Sequence, residues 1–373
     1  MPLNVSRESP EDFLGLRPSE VASRLRQIDW PAFRAKQVLK WVYQRCVIVP
    51  SEMTNLSRRD RETLETLFRF SASEMVVRRD SEDGTVKLLL GFPGGASAET
   101  VMIPDGKSVD RRRQSPERRT VCVSSQVGCP VGCRFCASGM NGLSGSLSAA
   151  RIVEQVLAVN RLLLPRGERT THVVFMGMGE PLANYSAVLR AVRILHDPDA
   201  LNIGARKITI STVGVPTRIR QLAGEDLPLN LALSLHAPNE PLRRQLIPWA
   251  DHFALDDILD ACRFYFEKSG REITFEYILL AGVNDRPEHA RQLAALCKTL
   301  RANVNLLRYN EVDGTPFKRP AAEATLRFQQ VLRQQGINAH VRRSRGRDID
   351  AACGQLRRKE ERRLELVQLG SRQ

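Results

Sequence analysis

The sequence of 373 residues predicts an α/β fold in which about six strand–helix units curl into a full or partial barrel. From residue 119 onward, short segments rich in Val, Ile and Leu alternate with longer segments of helical periodicity. Such alternation is typical of parallel sheets with right-handed crossovers. Because helical segments and two short strands precede this region, we expect a small helical N-terminal domain with a short β extension.

The predicted elements follow one another along the chain. The strands of the barrel are TVCVSS, HVVFMG, KITIST, NLALSLH, ITFEYIL, NVNLLRY and AHVRR. Helices between them include residues 149–164 and 287–302. Before the barrel, residues 33–44 are helical, a charged amphipathic stretch begins at Ser57, and VKLLLGF and ETVMIP are strands. Active sites in barrels of this kind lie at the carboxyl ends of the strands.

Four regions follow from this pattern. Residues 1–70 form the N-terminal domain, and residues 71–118 form the β extension and a polar, basic linker. Residues 119–356 form the barrel, and residues 357–373 form a charged tail.

The charge predicts a polyanionic partner. The formal net charge is +14, with 56 Lys and Arg against 42 Asp and Glu, so nucleic acid is the leading candidate. Two basic runs are candidates for phosphate contact, although either can be a solvated surface: Arg111, Arg112, Arg113, Arg118 and Arg119, and Arg342, Arg343, Arg345 and Arg347. With no apolar run of about 20 residues and no secretory signal, we expect a cytoplasmic protein that does not enter membranes.

Three of the eight cysteines lie together in one short loop after a predicted strand. Cys129, Cys133 and Cys136 have the spacing C-x3-C-x2-C. Three thiolates can ligate three irons of a [4Fe-4S] cluster and leave the fourth iron open. A zinc site is the alternative, but zinc loops usually show paired C-x2-C elements and a fourth ligand. The spacing therefore favours an iron–sulfur cluster, and we expect Cys46, Cys262 and Cys297 to lie in the core.

Six motifs run in a fixed order from residue 121 to 356: CVSSQVGCPVGCRFCA, MGMGEPLANY, ISTVGV, LSLHAPN, NLLRYN and RGRDIDAACGQL. FRAKQVLKWVY and EMTNLS stand near the N-terminus. In these motifs the chain resembles the radical S-adenosylmethionine (SAM) enzymes, and closely the RlmN type of RNA adenine C2 methyltransferases. The resemblance implies a radical SAM partial (β/α)6 barrel, a [4Fe-4S] cluster on the three clustered cysteines, and SAM as cofactor.

The resemblance also implies a SAM pocket at the strand ends. Its residues are Gly179, Glu180, Ser211, Ser234, Leu235, His236 and Asn310. Gly179 and Glu180 would contact the SAM amino group. Without the resemblance to this family, a G-x-G segment alone predicts a tight turn, and a Ser or His at a strand end predicts a structural hydrogen bond.

The family's chemistry implies roles for two further cysteines and one carboxylate. Adenine C2 is electron-poor, so a carbon radical can add to it. Cys353 matches the cysteine that first accepts a methyl group, from which a radical made from a second SAM abstracts hydrogen. Cys122 matches the cysteine that then forms a disulfide with Cys353 and releases the methylated RNA. Glu99 matches the proton acceptor, although the sequence alone predicts an exposed strand carboxylate.

The implied partners are 23S rRNA at the peptidyl transferase centre, tRNA as a further candidate substrate, and an electron donor such as a flavodoxin-like protein. A monomer is expected. Three alternatives stay open: methylation at adenine C8, a radical SAM enzyme with a non-RNA substrate, and an RNA-binding protein with a structural or sensing cluster. Gly145-Ser146-Leu147 and Arg308-Tyr309 depart from the family pattern, as does the longer loop at residues 105–119. None of these departures removes a chemical group of the mechanism.

Overall fold

A ten-stranded sheet organises the computed structural model, which describes residues 10–71, 73–105 and 118–349. The strands are β1 (Glu11–Asp12), β2 (Phe68–Arg69), β3 (Glu74–Asp80), β4 (Val86–Gly91), β5 (Ser97–Pro104), β6 (Arg119–Cys122), β7 (Gln126–Gly128), β8 (Leu143–Ser146), β9 (His172–Phe175), β10 (Ile208–Thr212), β11 (Asn230–Ser234), β12 (Ile273–Leu279), β13 (Ala302–Arg308) and β14 (Ala339–Arg342). The helices are α1 (Pro18–Arg26), α2 (Ala32–Leu39), α3 (Arg58–Leu67), α4 (Ala149–Leu163), α5 (Tyr185–His196), α6 (Pro216–Ala223), α7 (Glu240–Leu246), α8 (Leu255–Ser269), α9 (Pro287–Thr299) and α10 (Ala322–Gln334).

The seven strands predicted after residue 119 all form. They are β6 and β9 to β14, and they pair in chain order and in parallel. A helix or a pair of helices crosses over between each strand and the next, which makes six strand–helix units and a seventh strand. Because β14 and β3 form the two ends of the sheet, the barrel is open. The predicted α/β fold with a partial barrel is confirmed.

The β extension is not a separate sheet. Strands β3, β4 and β5 form an antiparallel meander, and β5 pairs antiparallel with β6. The first strand of an open barrel has a free edge of unpaired N–H and C=O groups, and β5 satisfies that edge. The extension therefore continues the sheet of the barrel.

The two faces of the sheet differ in polarity. Residues directly opposite in a ladder point to the same face, and successive residues alternate between faces. One face carries the residues of the main apolar core, including Val173, Ile210 and Leu231. The register puts Cys122, opposite Val101 and Val174, on the other face. We call this second face, which carries many polar side chains, the inner face.

Local sequence signals explain where the N-terminal helices begin. Ser57 accepts the Asp60 N–H at 3.1 Å, and the Asp60 carboxylate accepts the Ser57 N–H at 3.4 Å, so a capping box starts α3. The predicted helix at residues 33–44 forms as α2 followed by a π-helical turn, Lys40–Gln44.

The N-terminal helices pack on the barrel and share its core. The Arg190 guanidinium on α5 donates to the Gly15 carbonyl and to Glu20, each at 2.6 Å. Cys46, Cys262 and Cys297 are buried, which confirms their predicted place in the core. In the described part of the chain, no helix combines the length and the apolar character required to span a bilayer.

Candidate active site

Cys129, Cys133 and Cys136 lie in the loop that follows β7. The loop folds back on itself, because the Cys129 N–H donates to the Gly142 carbonyl at 2.9 Å and the Cys136 N–H to the Cys133 carbonyl at 3.0 Å. All three cysteines pack against a second apolar cluster, separate from the main core. Its members include Val131, Phe135, Val213, Leu246 and Ile247. The three thiols therefore share one apolar surrounding.

Burial raises the pKa of all three thiols. The pKa of Cys129 rises to about 12, that of Cys133 rises well above its usual range, and that of Cys136 rises too. Negative charge on each of the other two cysteines raises the pKa of Cys133 further. Three thiolates can coexist here only with a positive group that offsets their charge, which a cluster of iron ions supplies.

Backbone donors already point at two of the sulfurs. The N–H groups of Val131 and Gly179 donate to Cys129 and lower its pKa, and the Gly139 N–H does the same for Cys136. Hydrogen bonds from backbone N–H groups to cysteine sulfurs are typical of iron–sulfur sites, where they help to set the potential. The residues of this loop therefore fit a [4Fe-4S] cluster.

No group of three or more His, Cys, Asp or Glu is placed to hold an ion within residues 10–71, 73–105 and 118–349. A cube takes each thiolate on a different iron, so its ligands need not converge on one point.

Gly179 and Glu180 lie in the loop after β9, next to the cysteines. Gly179 has φ +102°, and a Cβ there would lie 2.6 Å from the Gln126 Cβ, so only glycine fits. The Glu180 carboxylate accepts the N–H groups of Leu182 and Val213, each at 2.9 Å. Burial raises the pKa of Glu180 even so. This carboxylate joins the loops after β9 and β10, a role that the sequence did not indicate.

Ser211 and Ser234 lie at the carboxyl ends of β10 and β11, with their Oγ atoms 3.1 Å apart. His236 follows with φ +57°. Its Nδ1 accepts the Ile278 N–H at 3.1 Å, and burial lowers its pKa to about 3. The imidazole is therefore neutral, and its proton is on Nε2 as a hydrogen-bond donor.

Leu235 and Asn310 also follow strand ends. The Leu235 side chain is fully buried in the main apolar core, so only its backbone is available to a ligand. Asn310 lies just after β13, and its Oδ1 accepts a hydrogen bond from Arg319 at 2.8 Å. The predicted pocket residues thus all lie at or just beyond the carboxyl ends of parallel strands.

Glu99 is buried, not exposed as the sequence alone predicts. On β5, it lies 3.4 Å from the Lys87 ammonium of β4, and both side chains are almost fully buried. The Glu99 carbonyl accepts the Ser124 hydroxyl at 2.6 Å, just beyond the end of β6. A charged side chain in a buried strand needs a charged partner, and each of these residues provides one for the other.

Cys122 is on the inner face beside this ion pair. Burial raises its pKa to about 12, and the charge of Glu99 adds to that rise, whereas Lys87 lowers the pKa. At neutral pH the Cys122 thiol is therefore protonated, within range of the field of both charges.

Cys353 lies outside the described residues, as do the predicted Cys122–Cys353 pairing, the charged tail, and Arg111, Arg112 and Arg113. The described chain ends at Ile349. Just before it, Asp348 accepts the Ser81 hydroxyl at 2.6 Å and the Glu82 N–H at 3.2 Å. The chain is thereby fastened to the turn that leads into β4.

Some of the basic residues are paired with a carboxylate within the fold, and others lie near another arginine. Arg119 pairs with Glu168 through two contacts of 2.7 and 2.8 Å, so its charge is already matched within the fold. The phosphate contact predicted for Arg119 stays a prediction. Burial lowers the pKa of Arg118, and the nearby charge of Arg342 lowers it further. One member of each basic run thus approaches the other.

Three residues of the site were not found from the sequence. Lys87 interrupts an apolar strand, a signal that becomes informative only once Glu99 of the neighbouring strand is known to lie 3.4 Å from its ammonium. Asn184 donates to the carbonyls of Ser125 and Leu147, each at 2.8 Å, and so joins the loop after β9 to the two ends of the β7–β8 hairpin that carries the cysteine loop. Arg243 on α7 is close enough to Cys133 to lower the pKa of that thiol, and no local motif indicates this contact.

Two family descriptions match the chain. Residues 123–294 match the radical SAM superfamily, and residues 11–69 match the N-terminal domain of ribosomal RNA large subunit methyltransferases. The first match begins after β6 and ends within α9, so it covers β9 to β12 of the barrel, and the second covers the N-terminal helices.

Similar proteins extend over nearly the whole chain. A protein of Symbiobacterium thermophilum named "Probable dual-specificity RNA methyltransferase RlmN" is 47% identical over 94% of this chain and 92% of its own. A protein of the same name from Gloeobacter violaceus is 44% identical, over 93% and 95%. The crystal structure of a radical SAM methyltransferase from Sphaerobacter thermophilus superposes with a TM-score of 0.87 at 42% identity, covering 93% of this chain and 99% of that one.

Proposed function

The chain belongs to the RlmN family of radical SAM RNA methyltransferases, and on that premise we propose that it methylates C2 of an adenine in 23S rRNA at the peptidyl transferase centre, and an adenine of tRNA. The family uses a [4Fe-4S] cluster and SAM. One observation carries the proposal: Cys122 lies on the inner face within the field of the buried Glu99–Lys87 pair. This arrangement brings a thiol and a carboxylate together at the edge where the cysteine loop begins.

The three ligands of the cluster in this proposal are Cys129, Cys133 and Cys136. When bound, the cluster supplies the electron that cleaves SAM into methionine and a carbon-centred radical. The chain's own part is to hold three thiolates in an apolar surrounding, to donate backbone N–H groups to their sulfurs, and to exclude water.

Replacing Cys133 with Ala is expected to remove the cluster. Two remaining thiolates cannot hold the cube, so iron and acid-labile sulfide should fall by at least about tenfold. Chemical analysis of anaerobically reconstituted protein measures both. The control is Cys297→Ala, a core cysteine that should leave both contents unchanged. A full complement of iron and sulfide in the Cys133 variant would assign the ligands elsewhere.

The proposed SAM pocket is formed by Gly179, Glu180, Ser211, Ser234, Leu235, His236 and Asn310. Glu180 carries a buried carboxylate whose pKa is raised, and the SAM ammonium would favour its ionised form. The hydroxyls of Ser211 and Ser234, together with Nε2–H of His236, offer donors to the SAM carboxylate and ribose.

In this proposal Glu99 accepts the proton that leaves C2. Lys87 is the buried charged partner of this carboxylate, 3.4 Å away, and so acts as a positioning residue for it. The Glu99→Gln variant should lose about 10²- to 10⁴-fold in methylation rate, the usual range for a general base. Lys87→Met should lose activity as well, while Glu74→Gln on the exposed strand β3 should not. Initial rates with tritium-labelled SAM measure this, and full activity in Glu99→Gln would remove Glu99 from the proton-transfer step.

RNA is proposed to reach the inner face past Arg118 and Arg342. Because the two like charges approach each other, a phosphate between them would relieve the repulsion. A stacked adenine cannot present C2, so the base must leave its stack.

We further propose a monomer in the cytoplasm that takes electrons from a flavodoxin-like protein. The net charge of +14 would be complementary to an acidic electron donor.

Mass spectrometry of RNA digested to nucleosides tests the proposed function. The reduced, cluster-loaded protein is incubated with SAM and with protein-free 23S rRNA or tRNA. The expected product is 2-methyladenosine in both RNAs. Recovery of 8-methyladenosine would replace C2 with C8, and recovery of unmodified RNA together with 5′-deoxyadenosine would assign the radical to a substrate of another class.

A further inference from the structure

Arg243 on α7 is a buried cation that nothing in the proposed chemistry yet uses. It is the largest fully buried side chain in the described part of the chain, with an exposed fraction of 1%. One terminal nitrogen of its guanidinium donates to the Val213 carbonyl. Its Nε and its other terminal nitrogen have no hydrogen-bond partner among the residues that the structure describes. A buried charge with two unsatisfied donors is costly unless an anionic group completes its surroundings.

The groups around Arg243 do not supply a paired carboxylate. Glu240 is one turn away, but its two oxygens accept Arg244 Nε at 2.9 Å and the Leu255 N–H at 2.8 Å. The cysteine loop is bonded to the helix of Arg243, because the N–H of Arg134, the residue after Cys133, donates to the Leu246 carbonyl of α7 at 3.0 Å. Burial lowers the pKa of Arg243, and Glu240, Cys133 and Cys262 raise it in that order. His236 is also near, and the positive charge of Arg243 adds to the effect of burial in lowering its pKa.

Of these neighbours, Cys133 is the one that a cluster would make permanently anionic. Three thiolates on a [4Fe-4S] cube carry a net negative charge, and reduction by one electron makes that charge more negative. A fixed cation in a dry site stabilises the more negative state more strongly. The two unsatisfied donors are the groups available for that interaction.

We propose that Arg243 is a positioning residue for the iron–sulfur cluster, which it orients through its buried guanidinium at Cys133 and makes easier to reduce. This inference rests on the ligand assignment proposed above. Arg243 also links two parts of the site: Val213, which accepts its hydrogen bond, donates its own N–H to Glu180 at 2.9 Å. The cation is thereby fixed between the cysteine loop and the proposed SAM pocket.

The planar fork of arginine matters as well as its charge. A lysine keeps the positive charge but cannot donate to Val213 and also direct two further N–H groups toward one anion in fixed geometry. Arg243→Met removes the positive charge but has a side chain of similar length. Arg243→Gln removes the charge and keeps an amide N–H donor, whereas Arg243→Lys keeps the charge. Arg244→Met is the matched control, since Arg244 is the next residue of α7 and its side chain is 52% exposed.

The test is an anaerobic redox titration of each loaded variant, followed by electron paramagnetic resonance, with iron and sulfide measured in parallel. Arg243→Met should lower the equilibrium constant for one-electron reduction by at least about tenfold, which is about 59 mV in midpoint potential. Arg243→Lys should recover part of that loss, and Arg244→Met should match the wild type. If Arg243→Met does not fold, Arg243→Gln takes its place with the same expectation. If a folded Arg243 variant loses the cluster while Arg244→Met is fully loaded, that result also supports a position of Arg243 beside the cluster.

An unchanged midpoint potential in a fully loaded Arg243→Met or Arg243→Gln variant overturns the proposal. An equal shift in Arg244→Met also overturns it, because the effect would then be a general one of surface charge. The titration uses no RNA, so a failure of the proposed adenine chemistry leaves its result intact. The iron content of Cys133→Ala tests the ligand assignment independently.

Discussion

Replacing Cys353 with Ala will abolish RNA methylation, by at least about 10³-fold relative to the wild type. In the proposed chemistry the methyl group is first bonded to the Cys353 sulfur, and an alanine offers no nucleophile to accept it. Cys46, Cys262 and Cys297 cannot take its place, because they are buried in the core. Transfer of a labelled methyl group from SAM to 23S rRNA measures the loss.

The Cys353 prediction has two internal checks. Peptide mass spectrometry of wild-type protein incubated with SAM should find a methyl group on Cys353, and the alanine variant should carry none. Cys297→Ala should methylate RNA at the wild-type rate, since it removes a core sulfur and no reacting group. If the Cys353 variant methylates RNA normally, the methyl group does not pass through this sulfur, and an enzyme of another radical SAM class is favoured.

The Cys122→Ala variant should trap RNA on the protein. The proposed role of Cys122 comes after the carbon–carbon bond has formed, when its thiolate attacks the sulfur of Cys353. That attack forms the disulfide and expels the methylated base, which then takes up a proton. Without Cys122 the linkage persists, so turnover should stop after about one equivalent of RNA is bound.

The setting of Cys122 fits the late step proposed for it. With a pKa of about 12, its thiol remains protonated at neutral pH and does not compete for the methyl group of SAM. A denaturing gel with labelled RNA shows the adduct as a slow band, and tryptic mapping should assign it to Cys353. Free methylated RNA released at the normal rate would exclude Cys122 as the resolving cysteine.

Much of the fold was predictable, because each barrel strand is a short apolar segment bounded by a helix. The same logic put Ser211 and Ser234 at one edge of the sheet, since carboxyl ends of parallel strands lie together, whereas their assignment to a SAM pocket came from the family resemblance. Periodicity did not predict that β3, β4 and β5 extend the barrel sheet, because strand pairing depends on partners far apart in the sequence.

The electrostatics of the site were not predictable in the same way. Glu99 is a surface carboxylate on any local view, and only the register that brings Lys87 to within 3.4 Å makes it a buried ion pair. Arg119 belongs to a basic run in the sequence, yet Glu168, 49 residues later, neutralises it. Arg243 carries no local signal at all, since its proximity to Cys133 depends on how α7 packs against the cysteine loop. Such pairings are properties of the tertiary structure.

The central claim is that the methyl group reaches adenine through a sulfur atom of this chain. The most direct measurement uses SAM with a trideuterated methyl group, followed by mass spectrometry of both products. The claim predicts one deuterium in 5′-deoxyadenosine and two in the new methyl group, because one deuterium is abstracted from the S-methyl carbon and a proton replaces it. A methyl group that keeps all three deuterium atoms, together with unlabelled 5′-deoxyadenosine, would contradict it.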